Sequence, residues 1–410
     1  MTFELLFDNP SAAQTGPPEL LEHDLSKYFP DLLKFESSDD LAASPIYETV
    51  RDDAERVLNT VVVEDLSESI DSKDGSIIAV LAWNIERGNR FDGVVDAFKN
   101  HLELKDKDVL LLTELDYGMA RSGNRFVAHE LAESLHLNYA FAPVYVALQK
   151  GSGVESDVEG ENTRSIHGLA MFSKWPMKNV HAVALPNGKD KMWGKEKRLG
   201  HLRALVADIQ HPSGVLRTVT VHLDVHCSRA HRRKQMKIVL DHLDTLPPLP
   251  TLIGGDWNTT TFNAQNSTRA ILGYWRRVMM GVKRVARDHF PYPDRYFEKD
   301  LFSDLEARGY EYKKLNEPGV GTLHYHIESI EKNTNLRDWV PEWCFKFIFW
   351  AGGRVGGGVS VRLDWFAGKG IKLAEGSKPK TIGDLADNSG LPLSDHDAIT
   401  VDIELVTTSN

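Results

Sequence analysis

Short apolar segments that each stop at a polar residue limit most strongly how this chain can fold. The run Ile77–Trp83 stops at Asn84, and the run Val109–Leu112 stops at Thr113 and Glu114. Apolar runs of four to eight residues are typical of strands that are buried on both faces. The polar residues would therefore mark the ends of buried strands, and in α/β folds such ends meet where ligands bind.

Further short apolar segments alternate with stretches in which apolar residues recur at helical spacing. The predicted strands are Tyr139–Ala147, Leu169–Ser173, Arg203–Gln210, Leu216–Leu223, Thr251–Asp256, Val361–Phe366 and Ala398–Val406. The predicted helices are Phe91–Leu104, Val127–Leu135 and Arg229–Leu246. Strands alternate with helices in the first half, whereas neighbouring strands in the middle indicate antiparallel pairing. We therefore predict an α/β fold with mixed sheets and helices outside them.

The net charge of −11 is unevenly distributed along the chain. Residues 1–74 hold 18 acidic and 5 basic residues, whereas the other 336 residues carry a net charge of +2. The first 74 residues also contain five prolines and no long periodic stretch. This predicts an acidic N-terminal arm or extension, either a solvated appendage packed on a neighbouring region or an autoinhibitory or partner-binding arm. Because the acidity is confined to this segment, it does not exclude an anionic ligand.

Composition also bears on the cellular compartment. The chain has only two cysteines, Cys227 and Cys344, so a disulfide framework is not expected. No run approaches the roughly 20 apolar residues of a membrane span, and Met1–Pro10 lacks the basic start and apolar core of a signal peptide. We expect a cytoplasmic protein without a transmembrane segment.

The candidate functional residues are polar side chains at the predicted strand ends. Taken singly, each has an ordinary explanation, because an Asn or Asp after a strand often only forms a turn and a Glu there is usually a loop residue. The order of these residues along the chain, and the residues that flank each of them, are more informative than any one residue alone. In chain order they are Asn84, Glu114, His222, Asp224, Asp256, Asn258, Asp364, Asp395 and His396.

This order resembles the endonuclease/exonuclease/phosphatase superfamily, the proteins similar to DNase I. The matching segments are Trp83-Asn84-Ile85, Leu112-Thr113-Glu114-Leu115, His167-Gly168-Leu169-Ala170-Met171-Phe172-Ser173, Val221-His222-Leu223, Gly255-Asp256-Trp257-Asn258-Thr259, Leu363-Asp364-Trp365-Phe366 and Ser394-Asp395-His396. The resemblance implies a catalytic domain at 75–407 with the family's four-layer α/β/β/α sandwich of two packed mixed β-sheets. An insertion is expected at about 262–358, because 105 residues separate Asn258 from Asp364.

The resemblance also implies a metal site. Glu114 would be the first ligand, with Asn84 beside it and Asp395 completing the set directly or through water. Carboxylate and amide oxygens suit a hard divalent cation, so Mg²⁺ is expected, with Mn²⁺ as an alternative. A zinc site is disfavoured because the cysteines are too few.

The remaining motif residues would perform the chemistry. As the resemblance implies, Asp256 would orient or deprotonate the attacking water, and Asn258 would bind that water or a phosphoryl oxygen. His396 would contact the phosphoryl group while Asp364 fixes its tautomer. His222 would be the second imidazole, and which imidazole protonates the leaving group stays open.

Four further residues are candidates for substrate binding, each with a structural or solvated role as the alternative. They are His167, Asp224, Arg87 and Arg121.

We expect a divalent-metal-dependent phosphoester hydrolase acting by in-line water attack on a small or lipid-like phosphoester. The alternatives are a Mg²⁺-dependent endonuclease or exonuclease acting on DNA or RNA, and a non-catalytic scaffold. The small substrate is preferred because the sequence has no long basic stripe with interleaved aromatic residues. The sequence identifies no protein partner.

Overall fold

The computed structural model describes residues 6–67, 75–259, 263, 267–326, 350, 353 and 358–406. The strands are β1 (Gln14–Gly16), β2 (Thr60–Glu64), β3 (Ile77–Arg87), β4 (Val109–Tyr117), β5 (Asn138–Ala147), β6 (Ile166–Ser173), β7 (Met177–Ala184), β8 (Arg198–Gly200), β9 (Arg203–His211), β10 (Gly214–Val221), β11 (Thr251–Asp256), β12 (Leu323–His326), β13 (Gly358–Val361), β14 (Asp364–Lys369), β15 (Ile371–Leu373), β16 (Lys380–Ile382) and β17 (Ala398–Leu405). The α-helices are α1 (Phe29–Leu32), α2 (Ser38–Ala42), α3 (Pro45–Asn59), α4 (Phe91–Asn100), α5 (Val127–Leu135), α6 (Arg229–Thr245), α7 (Ser267–Met280), α8 (Val282–Arg284) and α9 (Lys299–Ala307).

Most of these strands form two mixed sheets, as the sequence predicted. The larger sheet has the strand order β1-β2-β5-β6-β4-β3-β17-β15, with β16 paired to β17 and β8 paired to β5. The smaller sheet has the order β14-β11-β10-β9-β7, and β12 and β13 form a separate pair. Strands β3 and β4 are parallel, as are β10 and β11, while β9 and β10 are antiparallel, as predicted for neighbouring strands in the middle of the chain.

The alternation of side chains along β3 shows how the layers stack. Val80 and Ala82 belong to a core shared with the smaller sheet and with helices α6 and α9. Leu81 and Trp83 belong to a second core, which also contains residues of helices α3, α4 and α5. Because successive side chains of a strand point to opposite faces, the order of layers is helices, larger sheet, smaller sheet, helices. This is the predicted four-layer sandwich.

The N-terminal segment contributes directly to the larger sheet. Strand β2 pairs antiparallel with β5, and β1 pairs with β2. Leu25, Leu41, Val50 and Leu58 are buried in the second core. Residues 6–67 therefore share a sheet and a core with the rest of the chain. The division of the chain at residue 74 stays a prediction.

Element boundaries differ from the sequence prediction near the polar residues. Strands β3 and β4 continue past their apolar runs, to Arg87 and Tyr117. The segment predicted as one strand over Val361–Phe366 is divided between β13 and β14, because the backbone N–H groups of Leu363 and Asp364 both donate to Thr322 Oγ1 instead of to a strand. The predicted insertion lies partly outside the described residues. Within them, no helix is long and apolar enough to cross a membrane.

Candidate active site

Strands from both sheets bring Asn84, Glu114 and Asp256 together. Asn84 Nδ2 lies 3.1 Å from Glu114 Oε1 and 3.3 Å from Asp256 Oδ2. Asn84 Oδ1 accepts a 3.1 Å hydrogen bond from the backbone N–H of Glu86. This bond fixes the amide orientation, since a flipped amide would set two donors against each other. One buried amide therefore joins a carboxylate of the larger sheet to a carboxylate of the smaller sheet.

The backbone is unusual where these side chains meet. Glu86, Arg87 and Glu114 have φ values of 46°, 68° and 57°, the left-handed region that residues other than glycine rarely adopt. The pairing of β4 with β6 shifts register between Thr113 and Leu115, so Glu114 is the extra residue of a bulge. Bulges redirect side chains, and left-handed residues cluster at functional sites. The local backbone thus turns Glu114 towards the other sheet.

Three acidic side chains near these strand ends form a set that suits a cation. Burial and the negative charge of Asp395 raise the pKa of Glu86 to about 7. Burial also raises the pKa of Asp395, to which the charge of Glu114 contributes. Burial would raise the pKa of Glu114 as well, but the positive charge of Arg87, together with smaller contributions from His222, His167 and Asn84, outweighs burial and holds that pKa below its ordinary value. A divalent cation would relieve this crowding of carboxylates, and hard cations take oxygen ligands. The oxygen donors of these residues are therefore of the type that a divalent cation binds.

Asp256 occupies the centre of the remaining polar cluster. Its Oδ2 lies 3.5 Å from His222 Nε2 and 3.8 Å from His396 Nε2. Asn258 donates from its backbone N–H to Asp256 Oδ1 (2.9 Å) and from Nδ2 to both Asp256 Oδ2 (3.2 Å) and the carbonyl of Leu223 (2.9 Å). One carboxylate oxygen thus lies within reach of two imidazoles, while the other is held by the backbone.

His396 and Asp364 form a buried pair behind Asp256. His396 Nδ1 lies 2.8 Å from Asp364 Oδ2, and the His396 carbonyl accepts a 2.8 Å hydrogen bond from Trp83 Nε1. Burial alone would lower the pKa of His396, but the charges of Asp364 and Asp256 raise it well above its ordinary value. The ring therefore carries a proton at neutral pH. Asp256, Asp364 and His396 also offer three ligand-type atoms within 4.8 Å of one another. Because Nδ1 already binds Asp364, this set holds a proton more readily than a metal.

His167 and Arg121 converge on a residue that the sequence prediction did not include. His167 Nδ1 lies 2.7 Å from Asp116 Oδ1, and Arg121 contacts the same carboxylate through Nε (2.7 Å) and Nη2 (3.0 Å). Burial raises the pKa of Asp116, but the charge of Arg121 and the hydrogen bonds from His167 and Arg121 together outweigh burial and lower that pKa. Arg87 Nη1 lies 3.9 Å from Glu114 Oε2. These three predicted residues thus lie beside Glu114, in one charged network.

Asp224 is turned towards a neighbouring loop. Its carboxylate accepts hydrogen bonds from the backbone N–H groups of Gly188 (2.7 Å) and His226 (2.8 Å), and it lies 3.3 Å from Lys191 Nζ. These contacts of the carboxylate hold the neighbouring loop in place.

The sequence did not lead us to Glu86, Asp116 and Glu155, whose carboxylates interact with the other charged residues of this site. Two of them carried a signal, because Glu86 and Asp116 each lie two residues after a predicted ligand, at the spacing that returns to the same face of a strand. Glu155 carried none, since its partners Arg87 and Arg121 are distant in sequence.

The fold and the site together define an α/β sandwich protein with a charged centre at the strand ends. The family model described as "Endonuclease/Exonuclease/phosphatase family" matches residues 81–396. The chain belongs to this family. No curated protein matches it.

Solved structures with a similar fold come from several organisms. An endonuclease/exonuclease/phosphatase from Beutenbergia cavernae is 16% identical, with a TM-score of 0.44, over 80% of this chain and 72% of that one. A humanized TDP2 from D. rerio is 13% identical, with a TM-score of 0.42, over 80% of this chain and 100% of that one. A 3′ phosphatase from Neisseria, bound to a product DNA hairpin, is 14% identical, with a TM-score of 0.41, over 79% and 98% of the two chains.

Proposed function

We propose that this protein is a divalent-metal-dependent phosphoester hydrolase that activates water for in-line attack on phosphorus. The observation that carries the proposal is the position of Asp256. Its Oδ2 lies near two imidazoles and within hydrogen-bonding distance of Asn84, which also binds Glu114. A proton acceptor, two imidazoles and a carboxylate suited to a cation are the groups that phosphoester hydrolysis requires.

Asp256 is the residue we assign to the attacking water. Its carboxylate is held by the backbone N–H of Asn258, so Oδ2 keeps a fixed direction towards the space between the imidazoles. A water in that space would donate a proton to Oδ2 as its oxygen approaches phosphorus. Asn258 Nδ2 already donates to Asp256 and Leu223, so we assign Asn258 to positioning Asp256.

The two imidazoles differ in what supports them. His396 is held by Asp364 and carries a proton, so its Nε2–H can donate to a phosphoryl oxygen and stabilise the charge that develops there. His222 lies on the other side of Asp256 Oδ2, with its side chain 15% exposed. This position is open to a leaving group, and we assign His222 to donate the proton that the departing oxygen needs.

Glu114 and Asp395 are the residues we assign to hold the metal ion. A bound Mg²⁺ would supply charge neutralisation at the phosphoryl oxygens. We assign Asn84 to orientation of Glu114 and Asp256, because its Oδ1 is already the acceptor of the Glu86 N–H group. Small or lipid-like phosphoesters stay the proposed substrates, in keeping with the net charge of +2 outside residues 1–74.

The test is hydrolysis of bis-p-nitrophenyl phosphate by the full chain with Mg²⁺ or Mn²⁺. We expect activity that EDTA abolishes and added metal restores. Asp256→Asn should lower turnover by about 10²- to 10⁴-fold, whereas Asp300→Asn, an exposed aspartate on α9, should not. Turnover that survives EDTA would refute the metal assignment, and unchanged turnover of the Asp256 variant would refute the site. A plasmid-nicking assay beside sphingomyelin and phosphorylated metabolites separates the nuclease alternative from the proposed substrates.

A further inference from the structure

Two arginines beside the proposed metal centre share one carboxylate of a surface loop. Arg87 Nε lies 3.1 Å from Glu155 Oε1, and Arg121 Nη1 lies 3.0 Å from Glu155 Oε2. A single anionic group that offers one oxygen to each of two guanidinium groups is the geometry by which paired arginines bind phosphate. Arg87 Nη1 is also 3.9 Å from Glu114 Oε2. The arginine pair therefore borders the place where the scissile phosphate would bind.

Both arginines have supports other than Glu155. Arg121 keeps two hydrogen bonds to Asp116 and lies 3.5 Å from Glu196 Oε1, and its side chain is only 2% exposed. The position of Arg87 is set by its left-handed backbone after the register shift in β3. The two cations would thus stay in place if the Glu155 carboxylate moved away.

Glu155, which binds both arginines, is a loop residue. It lies in a short 3₁₀ turn, Gly153–Asp157, in the loop between β5 and β6. The side chains of Glu155 and Arg87 are 17% and 18% exposed, so their ion pair is only partly exposed. The carboxylate also packs against Gly151, where a Cβ atom would lie 2.5 Å from Glu155 Oε2. The loop thus places the Glu155 carboxylate against both arginines.

We propose that Arg87 and Arg121 form a subsite for a second phosphate group of the substrate, and that Glu155 occupies this subsite when substrate is absent. The inference rests on the proposed function and narrows its substrate class to phosphoesters with a further phosphate near the scissile one. A phosphate group carries more negative charge than a carboxylate and has more acceptor oxygens, so it can displace Glu155 from two guanidinium groups. A sugar bisphosphate and a 5′-phosphorylated dinucleotide present the same chemistry.

The experiment compares substrates that differ by one phosphate group. The pairs are fructose 1,6-bisphosphate with fructose 6-phosphate, and the dinucleotide pdTpdT with dTpdT. In the wild-type enzyme, KM should be lower for the member with the second phosphate. Glu155→Gln removes the competing charge and should lower that KM by a further twofold to fivefold, about the effect of one partly exposed ion pair. KM for the other member should stay within about 1.5-fold.

Two control variants separate this role from a structural one. Glu159→Gln changes an exposed glutamate of the same loop and should alter neither KM. Arg87→Gln should abolish the preference for the second phosphate, and circular dichroism would check its fold. A purely structural Glu155 would give the opposite result, a higher KM for both members of each pair and a lower Tm, and this would overturn the proposal.

Direct binding distinguishes failure of this inference from failure of the proposed function. Titration calorimetry with fructose 1,6-bisphosphate and fructose 6-phosphate measures the preference without turnover. An enzyme that hydrolyses neither these substrates nor bis-p-nitrophenyl phosphate but binds the bisphosphate more tightly, and more so in the Glu155→Gln variant, would refute the hydrolase and support the subsite. Equal binding of the two sugars would refute the subsite. The preferred pair, sugar or dinucleotide, identifies the source of the second phosphate.

Discussion

Asp364 decides whether His396 carries a proton. The two side chains are buried and lie 2.8 Å apart, and the carboxylate raises the pKa of the imidazole. Because the folded-state pKa is raised, the charged imidazole and the stability it provides are present at low pH and lost as the pH rises through that pKa. The alkaline limb of activity should therefore lie above the ordinary range of histidine.

Replacing Asp364 by Asn should move that limb to lower pH. The amide keeps the shape but removes the charge that holds the proton on His396, so turnover at neutral pH should fall by about 10²- to 10⁴-fold. The measurement is kcat against pH for both proteins, together with an NMR titration of the histidine rings. An unchanged alkaline limb would contradict the assigned role of His396.

Asp224 provides a second prediction, because its contacts are structural. Burial raises its pKa, but the charge of Lys191 and two backbone donors outweigh burial and lower it. A lowered pKa means that the stabilisation is present above the unfolded-state pKa and is lost as the pH falls through the folded-state value. Asp224→Asn should cost about 2–4 kcal/mol at pH 7, and urea unfolding should show this cost shrinking only as the pH falls below the ordinary aspartate range towards the folded-state pKa. If Asp224 instead bound substrate, the variant would raise KM and leave the unfolding free energy unchanged.

Three of the motif residues could be predicted because each lies where an apolar run ends and marks a strand end. Asn84, Glu114 and Asp256 lie close together as a consequence. Glu155 could not be found in this way, since a loop glutamate has no periodicity and its partners Arg87 and Arg121 are brought to it only by tertiary packing.

At the scale of elements, β11 places Asp256 between two neighbouring strands. The preceding residue, Gly255, has φ of 129°, and a Cβ atom there would lie 2.2 Å from the carbonyl oxygen of Val221 on β10. Only glycine lets the two strands approach so closely at this backbone conformation. The pairing of β10 and β11 therefore depends on Gly255, and the position of Asp256 depends on that pairing.

Gly255→Ala should destabilise the protein by about 2–4 kcal/mol and lower kcat, since strain and crowding add. Gly376→Ala is the matched control, because Gly376 also has a positive φ, of 76°, but nothing lies within 4 Å of its added Cβ. The control should cost about 1 kcal/mol, with kcat unchanged. Thermal melting and kcat of the two variants separate crowding from backbone strain, and equal losses would show that the contact with Val221 is unimportant.

Strand prediction from the sequence fails where the strands are irregular. Periodicity predicted the cores of β3, β4 and β11, but the bulge at Glu114 has no sequence signal. The break between β13 and β14 arises from hydrogen bonds to Thr322, about 40 residues away, which no local pattern encodes.

At the scale of the whole molecule, the N-terminal segment is tied to loops that flank the site. Lys197 Nζ donates to the carbonyl oxygens of Leu33 (2.9 Å) and Phe35 (2.6 Å), and Ser38 binds Asp190 through its backbone N–H and its hydroxyl. Lys191, which follows Asp190, is the ion-pair partner of Asp224. The sequence pattern did not indicate this integration, because β1 and β2 are three and five residues long and too short to show a period.

Deleting residues 1–67 should therefore destabilise the molecule as a whole. The deletion would remove α3 and β2 from the second core and leave the Tyr139–Phe141 part of β5 without its partner strand, and exposed strand edges promote association. We expect aggregation or a molten state by size-exclusion chromatography and near-ultraviolet circular dichroism.

Leu58→Ala is the milder variant. Leu58 is 1% exposed, so its truncation should cost about 2–5 kcal/mol while kcat of the folded fraction is retained. A shortened chain that stays monomeric, melts at an unchanged temperature and has a lower KM would instead support the autoinhibitory arm.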